Sequence, residues 1–315
     1  MVEKRPLLSI VITSNTMERL KDVFELLDSI QAQTYPNIET VFVAEGAEVL
    51  LHQVSSYVDE KDMPNIRVIV NHSEPGLASA RNLGIEQATG GIIAFIDDDV
   101  ILFPDWAEEM VRTYDDGSII GVTGPALPLW EDESMAWFPE EFYWIISCSG
   151  WTGWDKITVV RSAWGMNMSF KREAFDVAGN FINNLGYHKP MAEDLELSLR
   201  IKSKTGKHIL FSPYVKVWHR VHSYRLTWKF IIARAHHIGV SRRLLKRLYP
   251  ENKQLFNLER GLLKQIVRLL LNIPREFFKS PVIAWNKLSI IVLTTFFVAV
   301  GYLFSRTSLD IFERS

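Results

Sequence analysis

Three consecutive carboxylates close the run Phe95-Ile96-Asp97-Asp98-Asp99-Val100. They follow Ile92 to Ile96, a short apolar stretch that reads as a buried strand. Carboxylates at such a strand's carboxyl end face the crevice where open α/β sheets bind ligands. Alternate residues of an extended segment point to the same side, so Asp97 and Asp99 can converge while Asp98 faces elsewhere. Two converging hard oxygen ligands suit Mg2+ or Mn2+ holding a diphosphate. An acidic run of this kind standing alone would equally fit a solvated turn. The motifs around it decide the matter.

Upstream lie Ser9-Ile10-Val11-Ile12-Thr13-Ser14-Asn15, Val41-Phe42-Val43-Ala44-Glu45-Gly46 and Glu74-Pro75-Gly76-Leu77-Ala78-Ser79-Ala80-Arg81-Asn82. Downstream lie Trp164-Gly165-Met166-Asn167-Met168-Ser169-Phe170-Lys171-Arg172 and Ala192-Glu193-Asp194-Leu195-Glu196-Leu197-Ser198-Leu199-Arg200. In this order and spacing the chain resembles the family 2 glycosyltransferases over roughly residues 7–220. The resemblance implies a GT-A fold, a nucleotide-sugar donor and a Mn2+ or Mg2+ cofactor. It implies that Asp97 faces the ribose and metal, that Asp99 ligates the metal, and that Asp194 is the general base, with Glu193 the alternative. It also implies that Arg81 lies on the nucleotide side, and that Gly165 and Asn167 lie under the donor sugar. Glu45 falls where the family places a base-contacting aspartate, with Ala44 in place of that residue's acidic neighbour. A carboxylate there can accept the imide N–H of uracil, so UDP is the expected nucleotide.

Position adds further candidates. Thr13 and Asn15 end the first strand and should line the same pocket. Asp194 should begin a helix, where the positive dipole end favours its ionised form; without the motif, simple N-capping would be its role. His219, in Val217-Trp218-His219-Arg220, is a candidate metal or phosphate ligand, as histidines after the last strand are in some GT-A enzymes; a structural histidine is the plain alternative. Arg81 could instead be a surface ion pair.

The elements that must position these residues follow from patterning. Short apolar runs near 7–13, 38–44, 66–70, 92–96 and 119–123 alternate with helical stretches near 17–31, 47–59, 77–88 and 104–115. That alternation predicts an α/β fold with a mainly parallel, Rossmann-like sheet. Helical pattern returns near 171–178 and 193–204, with short strands near 207–211 and 214–218. Between 126 and 165 periodicity fades, and Trp130, Trp137, Trp144, Trp151, Trp154 and Trp164 appear. That segment could stack on an acceptor sugar, rest in a membrane interface or pack as core.

Charge is divided along the chain. Residues 1–215 hold 17 Lys/Arg against 32 Asp/Glu, and residues 216–287 hold 16 against 3. The two parts should therefore face different partners. Beyond 224, apolar residues recur at helical spacing from Leu255 to Ile273 with Arg260, Lys264 and Arg268 between them. Such an amphipathic helix suits an anionic membrane surface. Leu288 to Ser305 is an uncharged run of 18 residues, just long enough to span a bilayer. The basic residues before it favour a cytoplasmic N-terminal side. The expected divisions are a GT-A domain over 1–222, a basic amphipathic region over 223–281, a transmembrane or membrane-embedded helix over 282–305, and a tail over 306–315. No signal peptide precedes the first strand, and the single cysteine, Cys148, excludes an internal disulfide. The catalytic part is thus expected on the cytoplasmic side of the cell membrane.

The functional expectation is an inverting, metal-dependent transferase adding one sugar from a UDP-sugar to a membrane-borne polyprenyl or dolichyl phosphate glycan. Another envelope polysaccharide or a protein is the alternative acceptor; nucleic acid is not an expected partner. Ala136-Trp137-Phe138-Pro139-Glu140-Glu141-Phe142-Tyr143-Trp144 resembles archaeal transferases that add glucuronic acid to dolichyl-phosphate-linked glucose. A glucuronate would need a cation, with Arg161 or Arg172 the candidates. Processive relatives carry Gln-x-x-Arg-Trp, whereas here Gln265 to Arg268 is followed by Leu269. A nucleotidyltransferase would want a glycine-rich triphosphate loop, and Thr13 to Leu20 contains no glycine. A non-catalytic nucleotide-sugar binder would explain Ala44 and Glu45, but not Asp97, Asp99 and Asp194 together.

Overall fold

The computed structural model describes residues 5–304 except 47, 74, 150–154, 184, 186–191 and 253–254. The strands are β1 (Leu8–Ser14), β2 (Ile38–Glu45), β3 (Ile66–Asn71), β4 (Ile92–Asp97), β5 (Val100–Leu102) and β6 (Ile119–Thr123). They continue as β7 (Ala126–Trp130), β8 (Thr158–Val160), β9 (Asn167–Lys171), β10 (His208–Phe211) and β11 (Val217–Val221). Among the described residues the main sheet has the order β3-β2-β1-β4-β9-β6-β10-β8, and a small sheet has the order β5-β11-β7. β1 pairs in parallel with both β2 and β4, and β2 pairs in parallel with β3. β9 runs antiparallel between β4 and β6. The architecture is α/β with a mainly parallel sheet.

Both faces of that sheet are buried, which is why its strands read as unbroken apolar runs. Ile10, Ile12, Ala94 and Ile96 join one core cluster, whereas Val11, Ile93 and Phe95 join the other. Helices α1 (Leu20–Gln31), α2 (Glu48–Glu60), α3 (Leu77–Gln87), α4 (Trp106–Arg112), α5 (Glu173–Ala178) and α6 (Glu193–Thr205) complete this part. α3 approaches β1 so closely that a Cβ on Gly84 would lie 2.2 Å from Val11 Cγ1. That contact fixes the level of Arg81 against the strand ends.

The chain divides into two compact units, and the division is not the contiguous one expected. One unit joins Met1–Leu129 with Gly153–Arg220, and the other joins Trp130–Thr152 with Val221–Ser315. The reason is a shared core: Phe138, Phe142, Tyr143, Ile145 and Ile146 are buried together with Ile231, Ile273 and Ile290. The buried Cys148 belongs to the same core. Trp130 and Tyr143 meet edge-on at 5.8 Å, so the aromatic segment is packed at least there; Trp151 and Trp154 lie outside the described residues. The second unit also holds α7 (Trp228–Leu248), α8 (Asn257–Lys279) and α9 (Pro281–Phe304). α7 opens at Thr227, whose Oγ1 accepts the Phe230 N–H. By length and composition α9 could cross a membrane.

Candidate active site

The parallel pairing of β1, β2 and β4 brings their carboxyl ends to one edge of the sheet. Thr13 stands level with Asp97 and with Val43, and Ser14 with Ala44. Glu45 follows at the end of β2, opposite Asn71 of β3, and Asn15 is exposed just past β1. The expected pocket residues Thr13, Asn15, Glu45 and Asp97 therefore share one rim.

The acidic run divides into two directions. Asp97 and Asp99 meet His219 of β11, and one ligand atom from each lies within 4.8 Å of the others. His219 Nε2 is 3.3 Å from Asp99 Oδ1 and 3.9 Å from Asp97 Oδ2. His219 reaches this point because β11 pairs with β5, with His219 opposite Val100, and because the Arg220 N–H donates to the Asp99 carbonyl at 2.9 Å. The side chains of Asp99 and His219 are fully buried, whereas that of Asp97 is 33% exposed. Two carboxylates and one imidazole make a donor set that fits a divalent cation of the Mn2+ or Mg2+ class.

Asp98 points the other way, onto the end of β1. It accepts from Ser14 Oγ at 2.5 Å and from Arg19 Nη1 at 2.7 Å. Burial pushes the Asp98 carboxyl upward, Arg19 pulls it down, and the neighbouring Asp99 raises it again. Arg19 also lies 3.4 Å from Asp99 Oδ2, so a single guanidinium holds two of the three carboxylates. Sequence reasoning missed Arg19. The available signal was a cation at the start of the first helix, directly after a strand that ends at the crevice.

Arg81 is the second cation, and it is no surface pair. It is 3% exposed, donates from Nη1 to Glu193 at 2.9 Å, and donates from Nη2 to Asp97 and to the Gly165 carbonyl, both at 3.3 Å. Arg81 thus joins the strand carboxylates to the start of α6. Gly165 sits between the two groups: a Cβ there would meet Arg81 Nη2 at 3.3 Å and Asp194 Oδ2 at 3.5 Å. Asp194, the second residue of α6, accepts the Gly165 N–H at Oδ2 (3.0 Å) and the Leu195 N–H at Oδ1 (2.7 Å). Burial first, and then the Asp194 charge, raise the Glu193 carboxyl against the pull of Arg81. The turn into α6 uses Ala192 at φ +66°, a left-handed conformation that a non-glycine residue holds only when its surroundings impose it.

Two expectations are corrected. Asn167 does not face a ligand: it is fully buried, its Oδ1 accepts from Trp106 Nε1 at 3.0 Å, and its Nδ2 donates to the Val215 carbonyl at 2.8 Å. Its amide ties α4 to the chain leading into β11. Asn167→Ala should therefore cost about 2–4 kcal/mol, because two buried groups lose their partner. Denaturant unfolding would register that loss, while the nucleotide-sugar Kd of the folded variant should stay within about twofold. Arg172 is also spent elsewhere. Its guanidinium donates to the carbonyls of Gly90 and Ala88, before the start of β4 and so at the opposite end of that strand from Asp97.

Known proteins are similar to this chain in sequence and in fold. The sequence model of glycosyl transferase family 2 matches residues 9–176. Glucosyl-dolichyl phosphate glucuronosyltransferase of Haloferax volcanii is 32% identical over 247 residues, covering 77% of this chain and 78% of that protein. Glycosyltransferase AglE of the same organism is 29% identical over 119 residues, 36% of this chain and 37% of that one. Among solved structures, the mannosyltransferase PcManGT from Pyrobaculum calidifontis, in complex with GDP-Man and Mn2+, shares the fold. Its TM-score is 0.65 at 18% identity, with 97% of this chain and 89% of that chain covered.

Proposed function

The chain belongs to glycosyl transferase family 2, and from that premise we propose that it adds a single sugar from a nucleotide sugar to a lipid-linked acceptor, with inversion at the anomeric carbon. The observation that carries this reading is the meeting of Asp97, Asp99 and His219 at the sheet edge with Arg81 beside them. Asp97, Asp99 and His219 would hold a divalent cation, which supplies positive charge to the departing diphosphate. Thr13, Asn15 and Glu45 border the nucleotide, with UDP favoured by the carboxylate of Glu45. Gly165 leaves room for the donor sugar beside its own backbone. Asp194 takes the proton of the acceptor hydroxyl, whose oxygen then attacks the anomeric carbon from the face opposite the leaving diphosphate. Each Asp194 oxygen already accepts one N–H, and each retains a lone pair for that proton.

The acceptor class is supported by the relative named for dolichyl phosphate and by the basic composition after residue 216. A polyprenyl or dolichyl phosphate glycan at the cytoplasmic face of the cell membrane is the acceptor we infer, and UDP-glucuronate is the first donor to test. The direct experiment offers UDP- and GDP-sugars to polyprenyl phosphate and to glucosylated polyprenyl phosphate, with Mn2+ or Mg2+. Mass spectrometry of the lipid should show one added sugar from one donor, lost with EDTA. Metal-dependent nucleotide binding without a lipid product would overturn the acceptor class.

A further inference from the structure

We propose that the helical unit rests on an anionic lipid leaflet through α8 and α9 and does not cross it. Taken alone, α9 invites the opposite conclusion: 24 apolar-rich residues give about 36 Å of helix, enough to span. It is not alone. α7 runs beside it in the same direction, with Ile231 and Ile290 lining one cavity, and with Gly239 and Gly301 at the closest approach farther along. A Cβ on Gly239 would lie 2.1 Å from the Val298 carbonyl oxygen, and one on Gly301 would lie 2.1 Å from that of His236. At the far end Arg243 donates to the Tyr302 carbonyl at 2.9 Å and to that of Leu303. Whatever path α9 takes, α7 takes it too.

α7 cannot enter hydrocarbon. Six of its 21 residues are Lys or Arg, two more are His, and none is acidic. A spanning α7 would put Arg234, His236 and His237 near the bilayer centre, which is unfavourable, whereas a helix lying along a surface of anionic headgroups keeps them in a polar layer. The outward faces match such a surface. On α9, Trp285, Val292, Phe296 and Leu303 are exposed, and their spacing puts them in one stripe along the helix. On α8, Leu263, Val267, Leu270, Leu271 and Phe278 are exposed. Beside them Arg260, Lys264, Arg268, Arg275 and Lys279 fall within an arc of about 100° at helical spacing. An apolar strip with a cationic border is the pattern of a helix lying in the plane of the interface. Lys287 pairs with Glu276 at 2.7 Å and ties the two helices together. The chemistry that recognises this surface is phosphate headgroups above acyl chains, and it holds independently of which sugar is transferred.

Topology and binding are both testable on the full chain. Cys148 is buried, so a cysteine introduced as Ser280→Cys or Ser315→Cys becomes the labelled thiol. With a membrane-impermeant maleimide, both variants should label in inverted vesicles and neither in intact spheroplasts. Labelling of Ser315→Cys from the outer face alone would mean that α9 spans, and would overturn the proposal. Separately, the triple variant Arg260→Gln, Lys264→Gln, Arg268→Gln should partition about 10²-fold more weakly onto vesicles rich in phosphatidylglycerol. Phe278→Asp, at a side chain 93% exposed, should weaken partition onto neutral and anionic vesicles alike. Unchanged partition of both variants, or a lipid-independent dimer that Phe278→Asp dissociates, would assign the surface to a second copy of the chain instead.

Discussion

Asp194→Asn is expected to lower sugar transfer about 10²–10⁴-fold while leaving the nucleotide-sugar Kd within about twofold. The substitution keeps the shape of the side chain and removes the charge and one acceptor. The remaining amide oxygen can still accept the Gly165 N–H, now 3.0 Å from Oδ2, so the loop bearing Gly165 should hold its place. What is lost is an oxygen able to take a proton. Glu193 is the group against which this must be judged, since burial and then the Asp194 charge raise its carboxyl above its ordinary value. Its geometry argues otherwise. Arg81 donates to it at 2.9 Å, and protonating a carboxylate in that pair would leave a buried guanidinium short of a partner. Glu193→Gln should therefore act mainly by loosening Arg81, raising KM for the donor. If Glu193→Gln instead stopped turnover and Asp194→Asn did not, the base would be Glu193.

The second large effect concerns the cluster of Asp97, Asp99 and His219. Asp99→Asn should lower transfer by about 10³-fold at moderate metal concentration, since the charge supplied to the diphosphate is worth several kcal/mol. His219→Ala is the more informative change, because an imidazole nitrogen favours Mn2+ over Mg2+ whereas carboxylates serve both. Metal titration of activity should show Mn2+ half-saturation weakened by about tenfold or more, with a smaller change for Mg2+. Equal weakening of both ions would place His219 outside the coordination sphere, as a buried support for Asp99. Nucleotide binding measured without metal should be unaffected by His219→Ala.

The parts legible in the sequence were those with one dominant physical signal. β1, β2 and β4 could be read because strands buried on both faces leave continuous apolar runs, and the carboxylates at their ends broke those runs abruptly. β9 escaped although Asn167 and Ser169 alternate with Met168 and Phe170 at the period of a strand; all four are buried, so the polar pair marks no wet face. Asn167 was assigned to a ligand by the resemblance of its segment to the family's donor-sugar segment; its polarity instead serves Trp106 and the Val215 carbonyl, partners 61 and 48 residues away that no local pattern announces. Arg81 was legible as a cation near acids and Arg19 was not, and their joint task of binding the acidic groups to one another is a property of the folded sheet edge. The helical unit was legible in composition and hidden in connectivity, because its aromatic part lies inside the sequence of the other unit.

That interrupted connectivity governs the order in which the molecule can be made. As the chain leaves the ribosome, Phe138, Phe142 and Ile145 emerge about 85–150 residues before Ile231, Ile273 and Ile290, the groups that cover them. During that interval the nascent protein presents an aromatic surface with no lid. A chain shortened to end before α7 would be left in that condition permanently. It would retain Asp97, Asp99, Asp194 and His219, and it would carry the sticky half of a core whose other half was never synthesised.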